Sequence, residues 1–353
     1  MEAFSGSGIA SGATNAGLPS ADVEQVKVAV LAAGAFGMAM ATIAARRGHD
    51  VVIYARDSET VDAINATHRN PRVFPDHELL PNISATTSVQ EATHDAKLVI
   101  VCLPAQLTPD FLEQHRDHIP EDAILVITCK GLYLKTKQLL SVPILAALGR
   151  DQPLSFLSGP SFALELMNKM PTAVVVASKY LYHAVYVQRA LSTVDFRIYS
   201  SQDIIGVQLG GALKNPLAIG AGMVEGAGYG INTLAAYVTR SSLELQKLCV
   251  AMGGQPITIS GLSGIGDLTL TAFGSLSRNR TCGIRIIRGE KVENILKETT
   301  VEGVPTAEVA VYFADQCGLD LPLFRAVNAM LKGQIKREEI QDLLMNRPLK
   351  SET

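Results

Sequence analysis

Tryptophan is absent from the 353 residues and aromatic side chains make up only 5% of them, too few rings for stacking on bases or sugars to be the main recognition device. Charge is also sparse, at 18%, and nearly balanced: 31 basic against 34 acidic residues leave a net charge of -3. That excludes a nucleic-acid or anionic-membrane footprint, so any anion site has to be local. The cysteines, Cys102, Cys129, Cys249, Cys282 and Cys317, are odd in number and contain no C-x-x-C. This is the pattern of reduced, mostly buried thiols in an intracellular protein, not of a disulfide frame or a zinc site. None of the seven histidines lies beyond His183. His115 and His118 have helical spacing for a metal pair, but no acidic or thiol cluster completes them, so no metal is expected. The uncharged run from Val28 to Ala45 just reaches the length of a membrane span, about 18 residues. Its interior reads instead as a strand, a break at Gly34 and Gly37, and a helix from Met38. No transmembrane segment is expected.

What is present is apolar mass, 47% of the chain, over a length that favours two domains. Residues 1–22 are small, Ser/Gly/Ala-rich and free of Arg and Lys; they read as a flexible tail, and 347–353 as a second tail. No secretory, mitochondrial, peroxisomal or retention signal is legible. Cytoplasm is the expected compartment, with a plastid left open.

Between the tails, β-type runs occur at Val26–Leu31, Val51–Tyr54, Leu98–Leu103, Ala123–Thr128, Leu154–Leu157 and Ala173–Ala177, with helical stretches such as Ser58–Ala66 and Thr108–His118 between most of them. Near-continuous apolar strands alternating with helices imply a parallel sheet covered on both faces. From about Ser201 the pattern turns helical, at Ile204–Gly222, Thr233–Met252, Thr306–Gln316 and Leu323–Lys332. The expected architecture is an α/β, Rossmann-like dinucleotide-binding domain over 23–200, followed by an all-helical substrate domain over 201–346.

Gly34-Ala-Phe-Gly37 joins the first strand to the first helix, where glycines tighten the turn and helix N–H groups hold a pyrophosphate. The first glycine position of that fingerprint is Ala32; a positive φ there costs alanine about 1 kcal/mol or more, and any other φ costs little. The acidic residue for the ribose is missing after the second strand, which ends Tyr54-Ala-Arg56. Arg56 is either a partner for a 2′-phosphate or a plain surface charge, which keeps NADPH open beside NADH. Lys130 closes a strand where ligands of open α/β sheets bind. Ser161 is positioned to cap a helix after Gly159-Pro160, with Glu165 in its first turn; alternatively its hydroxyl faces a ligand.

Lys214-Asn215 sits in the apolar stretch VQLGGALKNPLAIGAG. A lysine buried there has a lowered pKa suited to proton transfer, whereas a snorkelling lysine would be inert. Asp267 lies in a glycine-rich segment, as a helix cap or as a site carboxylate, and Arg278 has the forked geometry that suits phosphate.

This ordered set, Gly34–Gly37, Lys130-Gly131, Gly159–Ala163, Gly211–Asn215, Gly266–Leu268, Ser277–Asn279 and Val301–Gly303, resembles the NAD(P)-dependent glycerol-3-phosphate dehydrogenases over roughly 27–346. The spacing from Asp267 to Arg278 resembles their bacterial-type branch. The resemblance implies NAD(H) or NADP(H) as cofactor and reduction of dihydroxyacetone phosphate, a small-molecule substrate, by a homodimer without nucleic acid. It implies Lys214 as proton donor and acceptor, with Lys130 and Asp267 completing the catalytic group. Gly159, Ser161, Asn215, Thr271, Ser277, Arg278 and Asn279 would surround the substrate. Gly34, Ala35, Phe36, Gly37, Arg56, Ala163 and Glu302 would hold the cofactor, with Lys130 and Arg278 beside it. The alternatives are a related hydroxyacid or hydroxyacyl-CoA dehydrogenase, disfavoured by the lack of a late histidine, and a non-catalytic dinucleotide-sensing module.

Overall fold

The computed structural model describes residues 24–336 together with Glu338, Glu339, Asn346 and Ser351; the expected tails, Ser351 apart, lie outside the described residues. The strands are β1 (Lys27–Leu31), β2 (Asp50–Tyr54), β3 (Ile83–Thr86), β4 (Leu98–Val101), β5 (Ile124–Ile127), β6 (Leu132–Tyr133), β7 (Gln138–Leu139), β8 (Leu154–Ser158), β9 (Thr172–Ser178) and β10 (Phe196–Ser201). Eight form one sheet in the order β10-β9-β8-β5-β4-β1-β2-β3, and β6 and β7 make a separate hairpin.

The central strands are buried on both faces, which is why their sequences are apolar without alternation. In β1, Val28 and Val30 enter the core on one face of the sheet, while Ala29 and Leu31 enter the core on the other. From β1 the chain winds outward to β2 and β3, then returns to β4 and β5 on the other side. That reversal opens a crevice at the carboxyl ends of β1 and β4, the usual place for a ligand in such sheets.

The sheet departs from the all-parallel expectation at one pairing. β9 runs antiparallel to β8, and β10 follows β9 in parallel. The link between β8 and β9 contains only the short helix Ala163–Met167, whereas a parallel crossover usually needs a full covering helix. Two strands, β3 and β10, escape the pattern of long apolar runs. In β10, Phe196 and Ile198 are buried while Arg197 and Tyr199 are exposed, the alternation of an edge strand.

Beyond Ser201 the described chain is helical, and its axis is the helix Ile204–Gly226, buried continuously from Gly206 to Met223. A helix apolar all round has to be surrounded. The helices Ile231–Ala251, Asp267–Phe273, Arg278–Ile287, Gly303–Gln316 and Pro322–Leu331 pack about it.

Candidate active site

The first strand turns into the helix Ala35–Arg46 at Ala32, which has φ 110. This is the costly alternative: the turn does require positive φ, and an L-residue occupies it. Gly37 explains part of the constraint, because a methyl group there would collide with the Ala32 carbonyl oxygen. Gly34 caps the helix without a side-chain hydrogen bond, and a methyl group at Gly34 would meet nothing within 4 Å. The helix start is thus uncrowded at Gly34 and no side chain caps its first-turn amides, as a pyrophosphate site requires. Arg56 is exposed beyond β2 and forms no ion pair among the described residues. The neighbouring carboxylate of Asp57 is already committed, accepting the Thr60 N–H at 2.9 Å and pairing with Arg72 at 3.2 Å. No acid is left at that strand end for ribose hydroxyls.

The helix Ile204–Gly226 begins at Asp203, whose Oδ1 accepts the Gly206 N–H at 2.8 Å. Pro216 lies inside it and lacks the N–H that Ala212 would otherwise receive. Small residues let other elements reach this helix. A methyl group at Gly210 would lie 2.6 Å from the Ser263 carbonyl oxygen, and one at Gly211 would lie 2.7 Å from Ser158 Oγ. Gly222 and Gly283 similarly bring the Arg278–Ile287 helix into backbone contact with it. Arg280 fastens that contact with two hydrogen bonds to Glu225, at 2.7 and 2.5 Å.

These approaches bring three charges together. Lys214 Nζ donates to Asp267 Oδ1 at 2.7 Å and to Thr271 Oγ1 at 2.6 Å. Lys130 Nζ donates to Asp267 Oδ2 at 2.7 Å and to the Gly159 carbonyl at 2.8 Å. Asp267 is 1% exposed and Lys214 6%. Burial pushes the Lys214 ammonium down to about 8, with Lys130 adding to the fall and Asp267 opposing it. Burial alone would raise the Asp267 carboxyl, but Lys130 and Lys214 hold it below its ordinary value. A single wide turn of π-helix, Leu262–Gly266, delivers Asp267 to the first position of its helix. Asp267 is thus not a helix cap. Ser161 is not one either: its hydroxyl donates to the Gly159 carbonyl at 2.9 Å, and the next helix starts after Phe162.

A cleft of about 380 Å³ opens above this group and is lined by Phe36, Lys130, Ser161, Lys214, Asn215, Thr271, Ser277, Arg278, Asn279 and Glu302. Asp267 lies beneath it, and Gly159 is reached only through Lys130; Gly34, Ala35, Gly37, Arg56 and Ala163 stand outside its lining. Cys102, Leu103, Pro104, Phe162, Leu276 and Thr300 also line the cleft and were not singled out by sequence. The position of Cys102–Pro104 at the end of β4 marks those three, and Phe162 falls inside the Gly159–Ala163 motif, while Leu276 and Thr300 carry no signal. Burial pushes the Cys102 thiol up to about 12, which suits a wall residue and not a nucleophile. Ser277 accepts the Arg280 N–H at 3.2 Å and starts its helix, leaving Arg278 exposed and without an ion pair among the described residues. Burial raises the Glu302 carboxyl, with Arg278 opposing.

The cleft joins a sheet of dinucleotide-binding topology to a helical half that supplies a buried lysine and its carboxylate. Fold and site together define a dinucleotide-dependent oxidoreductase of two unlike halves. The model of the NAD-dependent glycerol-3-phosphate dehydrogenase N-terminus matches residues 27–184, and that of the C-terminus matches 203–342. The chain belongs to this family. It is 42% identical over 327 residues to glycerol-3-phosphate dehydrogenase [NAD(+)] 2, chloroplastic, of Arabidopsis thaliana, covering 91% of this chain and 78% of that one. To the glycerol-3-phosphate dehydrogenase [NAD(P)+] of Brucella canis it is 42% identical over 326 residues, covering 92% and 99%. The crystal structure of glycerol-3-phosphate dehydrogenase from Coxiella burnetii superposes with a TM-score of 0.85 at 29% identity, covering 92% of this chain and 99% of that one. No helix among the described residues is long and apolar enough to cross a membrane.

Proposed function

We propose that this chain reversibly reduces dihydroxyacetone phosphate to sn-glycerol 3-phosphate, using NADH or NADPH, with Lys214 moving the proton. The observation that carries this reading is the burial of Lys214 against Asp267 at the floor of the cleft. The uncapped helix start after Gly34, with Ala35 and Phe36, suits the dinucleotide phosphates, and Glu302 offers the wall of the cleft a carboxylate for hydroxyl or amide donors. When bound, the reduced nicotinamide supplies the hydride to the carbonyl carbon.

Lys214 in its charged form polarises the ketone oxygen and gives it a proton, ending neutral beside Thr271 and Asp267. In the reverse direction neutral Lys214 takes the hydroxyl proton. Lys130, bonded to the other oxygen of Asp267 at 2.7 Å, adds positive field at the same place. Arg278, exposed on the cleft wall beside Ser277 and Asn279, receives the phosphate. Thr271 holds the Lys214 ammonium, while Asn215 fixes the Lys130 backbone through its 3.1 Å bond to the carbonyl oxygen. Reduced cysteines and low net charge favour a cytoplasmic homodimer.

Absorbance at the nicotinamide band, followed with dihydroxyacetone phosphate and either reduced cofactor, tests the reading. The parent should turn over. Lys214→Ala should lower kcat by about 10²–10⁴-fold, and Arg278→Ala should raise KM for the ketone by about 10–100-fold. A parent that binds the dinucleotide but reduces no ketone phosphate would return the chain to the sensing alternative.

A further inference from the structure

The helix Gly303–Gln316 begins without the usual device. Its cap residue, Glu302, has φ -62 and ψ -28, in the helical region, and its side chain makes no capping bond. The first amide of a helix needs an acceptor from elsewhere. Here Asn279 supplies it: Asn279 Oδ1 accepts the Gly303 N–H at 3.0 Å. The same side chain then donates through Nδ2 to Asn215 Oδ1 at 2.9 Å, and Asn215 Nδ2 donates to the Lys130 carbonyl at 3.1 Å. Each amide side chain thereby commits both its oxygen and its nitrogen to the scaffold, in an unbroken run from Gly303 to the Lys130 peptide.

The two ends of that run meet. A methyl group at Gly131 would lie 2.7 Å from Glu302 Oε2, so the Glu302 carboxylate rests over the peptide that follows Lys130. Burial raises the Glu302 carboxyl; its backbone carbonyl accepts from Thr306, while its carboxylate accepts no hydrogen bond among the described residues. Because a distant side chain caps its helix, its carboxylate is free to face the cleft.

We propose that Asn279 is a positioning residue for the dinucleotide side of the cleft: by capping Gly303 and holding Asn215 it fixes the direction of Glu302, and so ties dinucleotide affinity to the segment that receives the substrate phosphate. This rests on the dehydrogenase reading above. A residue that touched substrate alone would leave binding of the dinucleotide by itself unchanged.

The test measures dissociation constants of NADPH and NADH by nicotinamide fluorescence in the absence of ketone, for the parent, Asn279→Ala, Glu302→Gln and the double variant. Hydrogen exchange of the peptide containing Gly303 is followed in the ligand-free protein. Asn279→Ala should weaken dinucleotide binding by about 5–10-fold, the worth of one hydrogen bond, and speed exchange at Gly303. In the Glu302→Gln background the loss of affinity should shrink to under about twofold. Dinucleotide affinity within twofold of the parent, or an undiminished loss in the double variant, would overturn the proposal. If Asn279→Ala does not fold, Asn279→Asp, which keeps an acceptor for Gly303, takes its place. Parental exchange at Gly303 would then support the assignment, and exchange at the unprotected rate would refute it. Failure of the parent itself to bind either dinucleotide would instead remove the dehydrogenase reading.

Discussion

Lys130 and Lys214 hold opposite oxygens of one carboxylate: Lys130 donates to Oδ2 of Asp267 and Lys214 to Oδ1, each at 2.7 Å. One negative charge is shared between two positive ones, so the group carries a surplus proton that the more deeply buried lysine is the readier to release.

That surplus sets the pH dependence. With Lys214 lowered to about 8, the acid form needed for ketone reduction disappears as pH rises through about 8, and kcat/KM for reduction should fall there. The base form needed for alcohol oxidation appears over the same window, so the oxidative rate should rise. Asp267→Asn removes the charge that raises Lys214, and the inflection should move to lower pH along with a loss of rate. Profiles recorded in both directions check this; an oxidative limb that falls above pH 8 would contradict the assignment.

Arg56 makes a second prediction, concerning cofactor choice. It stands at the end of β2 without an ion pair among the described residues, while Asp57 is occupied by Thr60 and Arg72. Arg56→Ala should reduce kcat/KM with NADPH by about 10-fold, the worth of one charge-assisted contact, and change the value with NADH by less than about threefold. The ratio of the two values is the readout, and an unchanged ratio would take Arg56 out of the site.

The turn at Ala32 predicts a stability effect. Its φ of 110 strains an L-residue by roughly 1–2 kcal/mol. Glycine would relieve that strain while adding about 0.5–1 kcal/mol of unfolded-state entropy. Ala32→Gly should therefore raise Tm by about 1–3 °C. A lower Tm would mean that the alanine is accommodated without strain.

The turn also marks where the sequence was informative and where it was not. That a glycine position had been replaced was visible; whether the backbone needed positive φ there depended on the approach of Gly37, a tertiary fact. The central strands were legible because burial on both faces leaves apolar runs. β3 and β10 were not, since an edge strand with one wet face dilutes that signal. The reversal of β9 goes with a connection whose one short helix does not cover the sheet, and no periodicity records direction.

Within the site, Lys214 was legible as a charge inside an apolar helix, and Asp267 as an acid among glycines. Their grouping came only from the family resemblance and not from the residue pattern, because it joins residues far apart in the chain through glycine contacts whose partners the sequence does not name. Phe162, Leu276 and Thr300 carry no chemistry that would distinguish them from ordinary surface or core, and they enter the cleft only through the packing of their neighbours.

The bond between Lys130 and Asp267 spans 137 positions of sequence and is made by one residue from each half of the molecule. Contacts of such long range form late in folding, after the loop between them has been closed. During refolding, turnover, which needs both halves, and the full dinucleotide affinity that Glu302 adds from the helical half should therefore recover together, and that recovery would time the docking of the halves.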